Sequence, residues 1–245
     1  MKHFKLLFAF ALIFIANFSS NAQSVDEIID KYVSTIGGAD KWKAVQGIKM
    51  EMSVNQGGTE IPIEMIQMPA GKMIVKVNLN GKEITQMASD GETMWSQSFM
   101  TMKPEKMDKE TTDNAKLSSA DFPDALIDYK TKGYQAEFVG KETKEGTECY
   151  KIKFTKKPKT IAGVLTDDVT FYFFDTDNNL VIATETEIKE GPMKGQKALS
   201  TMSDYQEVDG LYFPFAMTQF GSPLKIKKII VNPAIDIKIF SFPAQ

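Results

Sequence analysis

Apolar residues recur at helical spacing just beyond residue 23, at Val25, Ile28, Ile29, Tyr32 and Ile36. Ser24 and Glu27 stand three positions apart, which is the capping-box pattern of a helix N-terminus. Gly37-Gly38 is expected to end this amphipathic helix, because glycine readily adopts the conformation that follows a helix C-terminus. A further helical turn or two is predicted over Asp40–Val45, the segment that carries Trp42.

The apolar positions then change from helical spacing to alternation, which is typical of strands with one buried face. The pattern predicts strands over Ile48–Val54, Ile61–Met65 and Met73–Leu79. Glycine-containing pairs punctuate this region at near-regular spacing, at Gly57-Gly58, Ala70-Gly71, Asn80-Gly81 and Asp90-Gly91. Asn-Gly and Asp-Gly favour the tight turns of β-hairpins. We therefore predict an antiparallel meander for this part of the chain.

A polar and charged stretch interrupts the alternation over residues 100–121. We predict a long loop there that can include a helical turn, followed by a short helix from Pro123 to Tyr129 that stops near Gly133. Later strands are predicted at Tyr134–Val139, Cys149–Thr155, Val169–Asp175, Leu180–Ile188, Ala198–Glu207, Leu211–Gln219 and Lys225–Val231. Residues 23–245 are thus predicted to form a single, mainly β domain with short helices and about eleven or twelve strands.

The first 22 residues have the pattern of a secretory signal peptide. Lys2 and Lys5 precede an apolar run over residues 6–18, and Ser20-Asn21-Ala22 supplies small residues for cleavage after Ala22. The alternative is a membrane anchor, but the run is shorter than the roughly 20 apolar residues that a spanning helix needs. We therefore expect secretion across the inner membrane and a periplasmic location for the mature protein.

The composition excludes several kinds of chemistry. The chain has no arginine, its one histidine is His3 in the predicted leader, and its one cysteine is Cys149, which is predicted to be a small buried residue of a strand. A Ser-His-Asp triad, a Cys-His pair, a histidine-ligated zinc and an arginine phosphate clamp therefore have no residues to form them. The net charge of −3 argues against nucleic acid as a partner.

Carboxylate clusters offer only weak candidates for a site. Asp175–Asn179 superficially resembles a calcium loop, but it lacks the glycine and the final glutamate of the EF-hand pattern, and a solvated hairpin turn is the better interpretation. Asp167-Asp168 is expected at a strand entry, while Asp121 and Asp124 flank a helix start, and neither pair has a partner that suggests acid–base work. Lys156–Lys159 is predicted to be a solvated loop.

Methionine is concentrated in one part of the chain. Ten residues occur there, at Met50, Met52, Met65, Met68, Met73, Met87, Met94, Met100, Met102 and Met107. Methionine is flexible and polarizable, so it suits surfaces that accept varied apolar ligands, although it also fills gaps in ordinary cores.

Counting by twos places several of these side chains on shared faces of consecutive strands. The predicted ligand-binding face consists of Met50, Met52, Ile63, Met65, Met73, Val75 and Val77, with Trp95 and Phe99 near its rim. If those strands curve, the face is concave and could hold an acyl chain. The alternative is a plain packed core.

Several short segments, each weak alone, follow one another in a characteristic order. They are Asp26–Tyr32 with Ile36-Gly37-Gly38, Asp90–Trp95, Asp128–Tyr134, Val139–Glu142, Asp204–Pro214, Val231–Asp236 and Phe240–Pro243. In order and spacing they resemble the LolA-type periplasmic outer-membrane lipoprotein carriers (lipoprotein-sorting proteins), in the form common among Bacteroidota-like sequences. The resemblance covers the full predicted mature chain.

The resemblance implies an unclosed, strongly curved antiparallel half-barrel that is covered by helices and holds acyl chains on its concave face. In the well-studied carriers an arginine on a strand holds the lid helices shut. This chain has no arginine, so either a lysine substitutes for it or the gating differs.

We therefore expect a soluble periplasmic carrier or chaperone, not an enzyme, that binds acyl chains of lipoproteins or other lipids. The resemblance further implies an inner-membrane donor and an outer-membrane acceptor as partners, and we expect a monomer that needs no metal and no cofactor. One alternative is an envelope sensor of the same fold that binds a protein or peptide and regulates a partner. A second alternative is an enzyme that uses carboxylates alone.

Overall fold

Thirteen strands form one antiparallel sheet in the computed structural model, which describes residues 24–219 and 221–243. In chain order β1 to β13 are Ile48–Gln56, Thr59–Met68, Lys72–Leu79, Lys82–Asp90, Met94–Gln97, Pro104–Lys106, Gln135–Lys144, Thr147–Ile161, Val164–Asp175, Val181–Glu187, Lys197–Val208, Leu211–Gln219 and Ser222–Val231. The helices α1, α2 and α3 are Val25–Thr35, Ala39–Lys43 and Lys109–Ser118, and short 3-10 turns span Ser119–Asp121 and Ile237–Phe240. The predicted leader lies outside the described residues.

The sheet is open. Its strand order is β6-β5-β4-β3-β2-β1-β13-β12-β11-β10-β9-β8-β7, so two meanders are joined where β1 pairs with β13. β6 and β7 follow each other in the chain but form the two outer edges of the sheet. Residues 107–134 therefore connect one edge to the other. The predicted class, an unclosed mainly β sheet with short helices, is confirmed.

The first helix is anchored as its sequence predicts. The backbone N–H of Glu27 donates to the Ser24 hydroxyl (3.2 Å) and that of Ser24 donates to the Glu27 carboxylate (3.0 Å). Gly37 has φ +120°, and a Cβ there would lie 2.5 Å from the carbonyl oxygen of Gly210, so only glycine fits the close approach between the end of α1 and the start of β12.

We call the sheet face that packs against α1 and α2 the inner face. The main core forms there, and Trp42 of α2 is buried in it with its ring 5.0 Å from that of Phe213 on β12, while its indole N–H donates to the carbonyl of Ile36. The opposite, outer face carries a second cluster, in which Ile66 and Trp95 pack against Phe240 of the C-terminal segment.

Residues 100–134 differ from the prediction. A ten-residue helix, α3, and the short strand β6 replace the predicted long loop. The predicted helix from Pro123 to Tyr129 is wrong, because this segment is a series of turns. The Asp124 carboxylate accepts the backbone N–H of Leu126 (2.7 Å), and Asp128 has φ +51°. Side-chain bonding to the backbone offers an alternative to helix hydrogen bonds, and a positive φ breaks a helix.

β8 also extends beyond the prediction and includes Lys156–Lys159, which was predicted to be a loop. A register shift between Lys156 and Lys159 accommodates the irregularity around Pro158. Two other expectations are confirmed: Cys149 is buried within a strand, and Asp175–Asn179 begins at the last residue of β9 and forms the turn that leads to β10.

A network of lysine and glutamate side chains lies on the outer face of β7–β8. Glu142 accepts bonds from Lys144 (2.8 Å) and Lys151 (2.7 Å), and the ammonium group of Lys144 lies 4.5 Å from the ring centroid of Phe173. Hydrogen bonds from Lys144 and Lys151 lower the pKa of Glu142 to about 2.

We expect Glu142→Gln to lower the free energy of unfolding at pH 7 by about 1 kcal/mol or less, because the pair is partly exposed. A carboxylate whose pKa is depressed on folding stabilises the fold above its unfolded pKa, and that stability is lost as the pH falls through the folded value. The difference between wild type and variant should therefore shrink as the pH falls from about 4.5 towards 2. Urea denaturation at pH 7 and at pH 2.5 measures it, and a difference independent of pH would contradict the assignment.

Candidate functional site

The register of β1, β2 and β3 brings seven of the predicted site residues onto one side of the sheet. One row across β1, β2 and β3 consists of Met50, Met65 and Val75. The next inward-facing row consists of Met52, Ile63 and Val77. Met73 stands opposite Gln67 on the same face. Met50, Met52, Ile63 and Met65 contact the main core cluster, so the shared face is the inner face.

Burial divides these seven residues into two groups. Met52 and Val77 are buried like ordinary core residues. Met50, Ile63, Met65, Met73 and Val75 are only half-buried. The half-buried group is the part of this set that solvent reaches.

Trp95 and Phe99 do not lie where the sequence suggested. Trp95 aligns across the strands with Ala88, Ile74 and Ile66, which places it on the outer face. Its indole N–H donates to the carbonyl of Phe240 (2.9 Å), so it anchors the C-terminal segment. Phe99 lies in the exposed turn between β5 and β6. The turn between β4 and β5 interrupts the alternation of side chains between the two faces, so the sequence pattern could not assign Trp95 to a face.

Methionine is enriched on the inner face beyond the predicted set. Met87 stands opposite Val75, and Met94 aligns with Met73 through Ser89. Six of the ten clustered methionines thus face inward from β1 to β5, at Met50, Met52, Met65, Met73, Met87 and Met94. A face of this kind can adjust to ligands of varied shape.

A cavity of about 320 Å³ opens beside Met73. Met73 and Met94 of the sheet lie on one side of it, and Phe122 and Pro123 of the connection lie on the other. The remaining lining residues are Gln67, Met68, Gly71, Lys72, Ala115, Ser118, Ser119 and Asp121. Its volume falls at the lower end of the range for small-ligand sites. The half-buried methionines continue from the cavity along the inner face.

The inner face continues across β11 to β13 with side chains that the sequence prediction omitted. Met202 stands opposite Met217, which stands opposite Leu224, which stands opposite Val54. All four are half-buried. Alternation in β12 and β13 was visible in the sequence, but only the β1–β13 pairing shows that these strands adjoin the methionine-rich ones.

Hydroxyl side chains replace apolar ones on the inner face of β9 to β11. Thr170 stands opposite Thr186, and Tyr172 stands opposite Thr184, which stands opposite Ser200. Tyr172 contacts the main core cluster, which fixes this row as inward-facing. The inner face therefore combines an apolar side with a side that can donate and accept hydrogen bonds.

Residues 119–134 lie over part of the inner face, and we call them the cover segment. Leu126 and Ile127 are buried in the main core. Asp124 is half-buried, and its carboxylate accepts a hydrogen bond from the hydroxyl of Tyr32 on α1 (2.9 Å). Burial raises the pKa of Asp124, although the hydrogen bonds from Leu126 and Tyr32 act in the opposite direction.

Lysine side chains of β8 hold the start of the cover segment. The Asp121 carboxylate accepts hydrogen bonds from the Lys156 ammonium group (2.7 Å) and from the Tyr134 hydroxyl (2.8 Å). Lys156 and Lys159 also approach Asp168 of β9, at 3.3 and 2.8 Å. Burial by itself would lower the pKa of Lys156, but the hydrogen bond to Asp121 and the charges of Asp121 and Asp168 outweigh it and raise that pKa. The sequence interpretation missed this cluster because it placed Lys156 in a loop.

Helix α3 spans the space between the two edges of the sheet. Asn114 donates to the carbonyl of Thr160 (2.6 Å) and accepts the N–H of the same residue (3.1 Å). Lys116 pairs with Glu92 beyond the end of β4, at 2.7 Å. The helix therefore links the β8 side of the molecule to the β4–β5 side.

Within residues 24–219 and 221–243, no three histidine, cysteine, aspartate or glutamate side chains lie together in a way that could hold a metal ion. In the same part of the chain, no helix combines the length and the apolar character needed to cross a membrane.

The similarity of this chain to known proteins lies in its structure. No family model and no curated protein matches the sequence. A DUF1329 family protein from Desulfovibrio piger has a similar structure, with TM-score 0.51 and 13% identity over 89% of this chain and 97% of the other. A LolA superfamily protein from Nitrosomonas europaea is similar with TM-score 0.51 and 14% identity, over 90% and 98% of the two chains.

A putative outer-membrane lipoprotein-sorting protein domain from Vibrio parahaemolyticus also matches, with TM-score 0.47 and 12% identity over 87% of this chain and 94% of that one. At these identities the likeness concerns the fold. The structure thus has a LolA-like fold, and the resemblance noted from sequence segments is confirmed at that level.

Proposed function

We propose that the protein is a periplasmic carrier that binds acyl chains of lipoproteins or other lipids on its inner face, for sorting to the outer membrane. The observation that carries this proposal is the row of half-buried methionines that leads into the cavity beside Met73. We infer that residues 23–245 act as one unit, since all thirteen strands belong to a single sheet.

The physical basis is the transfer of hydrocarbon out of water. Each buried methylene group contributes roughly 0.8 kcal/mol, so an acyl chain that fills the cavity and extends over Met65 and Val75 is held without any covalent step. Binding of this kind needs no cofactor. Flexible methionine side chains can fill the same space when the ligand leaves.

The hydroxyl-lined side of the inner face suits the polar end of an acyl ligand. Ester and amide carbonyls accept hydrogen bonds, and Thr184 and Ser200 present donors without adding charge. A lipoprotein's acylated N-terminus combines such carbonyls with long hydrocarbon chains. We infer that the ligand lies with its hydrocarbon against the methionines and its linkage towards the hydroxyl groups.

We infer that the cover segment moves during loading and release, because Phe122 and Pro123 form one wall of the cavity. In this chain Lys156 holds the segment through its ion pair with Asp121. We propose that an inner-membrane donor and an outer-membrane acceptor protein load and unload the carrier, after export by the leader in residues 1–22.

The test is to purify residues 23–245 from the periplasm and identify bound molecules by native mass spectrometry and lipid extraction. We expect acylated species at near-stoichiometric amounts, and saturable binding of a fluorescent fatty-acyl probe by the delipidated protein. Absence of both would reject the carrier. A co-purifying peptide in their place would favour an envelope sensor.

A further inference from the structure

The turn between β5 and β6, residues 98–103, exposes large apolar side chains that the inner face does not use. Phe99 is 58% exposed and Met100 is 95% exposed, and Met102 beside them is partly exposed. Two adjacent side chains of this size pointing into water lose favourable burial, so an interaction that covers them is expected. We call residues 98–103 the apolar tip.

The apolar tip is held in a fixed shape by its own hydrogen bonds. The Met102 N–H donates to the carbonyl of Ser98 (2.8 Å), and the Ser98 N–H donates to the carbonyl of Lys103 (3.0 Å). The Gln97 side chain donates to the carbonyl of Met102 (2.8 Å), while Met102 itself has φ +58°. The tip is therefore a hydrogen-bonded turn that presents Phe99 and Met100 in a defined arrangement.

The hydrogen bonds of the apolar tip suit the hydrated edge of a lipid layer as the partner. A segment that enters the apolar layer of a membrane must satisfy its backbone groups internally. In the apolar tip, the N–H groups of Thr101 and Lys103 have partners, the side-chain oxygens of Ser98 and Thr101 (both 3.3 Å), but those of Phe99 and Met100 have none within the described residues. Only the two side chains can therefore enter hydrocarbon, while water and headgroup oxygens serve these two N–H groups. The exposed Lys103 follows directly, where its ammonium group can remain at the level of phosphate groups.

A second exposed apolar turn has the opposite construction. Val164 and Leu165 follow the turn between β8 and β9, but the N–H groups of Ala162 and Gly163 donate to the Glu110 carboxylate, at 2.8 and 2.9 Å. Insertion of that turn would carry a charged carboxylate into hydrocarbon, which is costly. The two turns therefore differ in whether insertion into a membrane would bury a carboxylate that is bonded to the turn.

We propose that the apolar tip docks the protein on a phospholipid bilayer by inserting Phe99 and Met100 into the edge of the acyl layer. The occupant is a neutral, zwitterionic surface, because the chain has a net charge of −3 and anionic lipid would repel it. This docking is independent of acyl binding on the inner face, and it would bring a carrier to the place where acyl chains are exchanged.

The experiment measures co-flotation of the protein with phosphatidylcholine vesicles. We expect reversible binding by the wild type, and at least about tenfold weaker binding by Phe99→Ser/Met100→Ser, since two large apolar contacts are lost. The matched control, Val164→Ser/Leu165→Ser, removes a similar exposed area and should bind like the wild type. Equal weakening of both variants, or no binding by the wild type, overturns the proposal.

A spectroscopic measurement locates the tip. Native Trp42 and Trp95 are buried, so a Phe99→Trp variant adds the one indole expected to meet lipid among the described residues. We expect brominated phosphatidylcholine to quench this variant and to leave the wild-type emission unchanged. Acyl-probe binding should be the same in the wild type and both serine variants, so failure of docking remains distinguishable from failure of the carrier function. Binding to vesicles without quenching would exclude insertion.

Discussion

Met65→Asp is expected to abolish binding of a fluorescent fatty-acyl probe and to leave the protein folded. Met65 is half-buried on the inner face, between Met50 and Val75 on the neighbouring strands. A carboxylate there can stay hydrated when the site is empty, but an acyl chain would bury it unpaired at a cost of several kcal/mol. We expect affinity to fall by more than about a hundredfold, and the free energy of unfolding to fall by about 2 kcal/mol or less. Val75→Asp should behave in the same way.

The adjacent residue provides a matched control. Ile66 points to the outer face, where it is 2% exposed and packs with Ile74 and Phe240. Ile66→Asp places the same charge one position away in a dry core, and we expect it to unfold the protein. Probe titration measures acyl binding by the variants and circular dichroism reports whether they are folded. Together they distinguish a ligand-binding face from a packed core. Unfolding by Met65→Asp and Val75→Asp as well would show a plain packed core, and unchanged probe binding by a folded variant would move the ligand elsewhere.

The alternation of apolar and polar residues was sufficient to predict the strands, because in a strand with one buried face every second side chain is apolar. Met50, Met65 and Val75 could therefore be placed together before any pairing was known. The same reasoning could not show that β1 pairs with β13, since nothing local in either strand identifies a partner so distant in the chain. That pairing adds Met217 and Leu224 to the inner face.

The connection between the two sheet edges was the least predictable part. Helix α3 has no buried residue, so it lacks the apolar stripe by which helices are recognised in a sequence. Its position depends on polar contacts such as those of Asn114 with Thr160. Similarly, Lys156 in a lysine-rich stretch gave no sign of burial, because its role depends on Asp121 and Asp168 from two other segments.

Lys156→Met is expected to loosen the cover segment. The change leaves Asp121 without its cationic partner and leaves Asp168 with only Lys159, in a region where all these side chains are largely buried. Breaking a buried ion pair from one side costs more than the pair itself contributes, because a charge is left without a partner. Since some solvent reaches this cluster, we expect the free energy of unfolding to fall by about 2 kcal/mol. Hydrogen exchange should accelerate in residues 119–134 more than in α1.

The neighbouring Lys157 is exposed on the same strand, and Lys157→Met should therefore leave both measurements unchanged. Adding Asp121→Asn to Lys156→Met removes the unpaired charge and should recover part of the lost stability, which a purely steric effect of methionine would not. If the cover segment gates the cavity, Lys156→Met should also release a bound acyl probe faster, because Phe122 and Pro123 separate more often from Met73 and Met94. Faster exchange in the cover segment with an unchanged release rate would mean that the ligand leaves by another route.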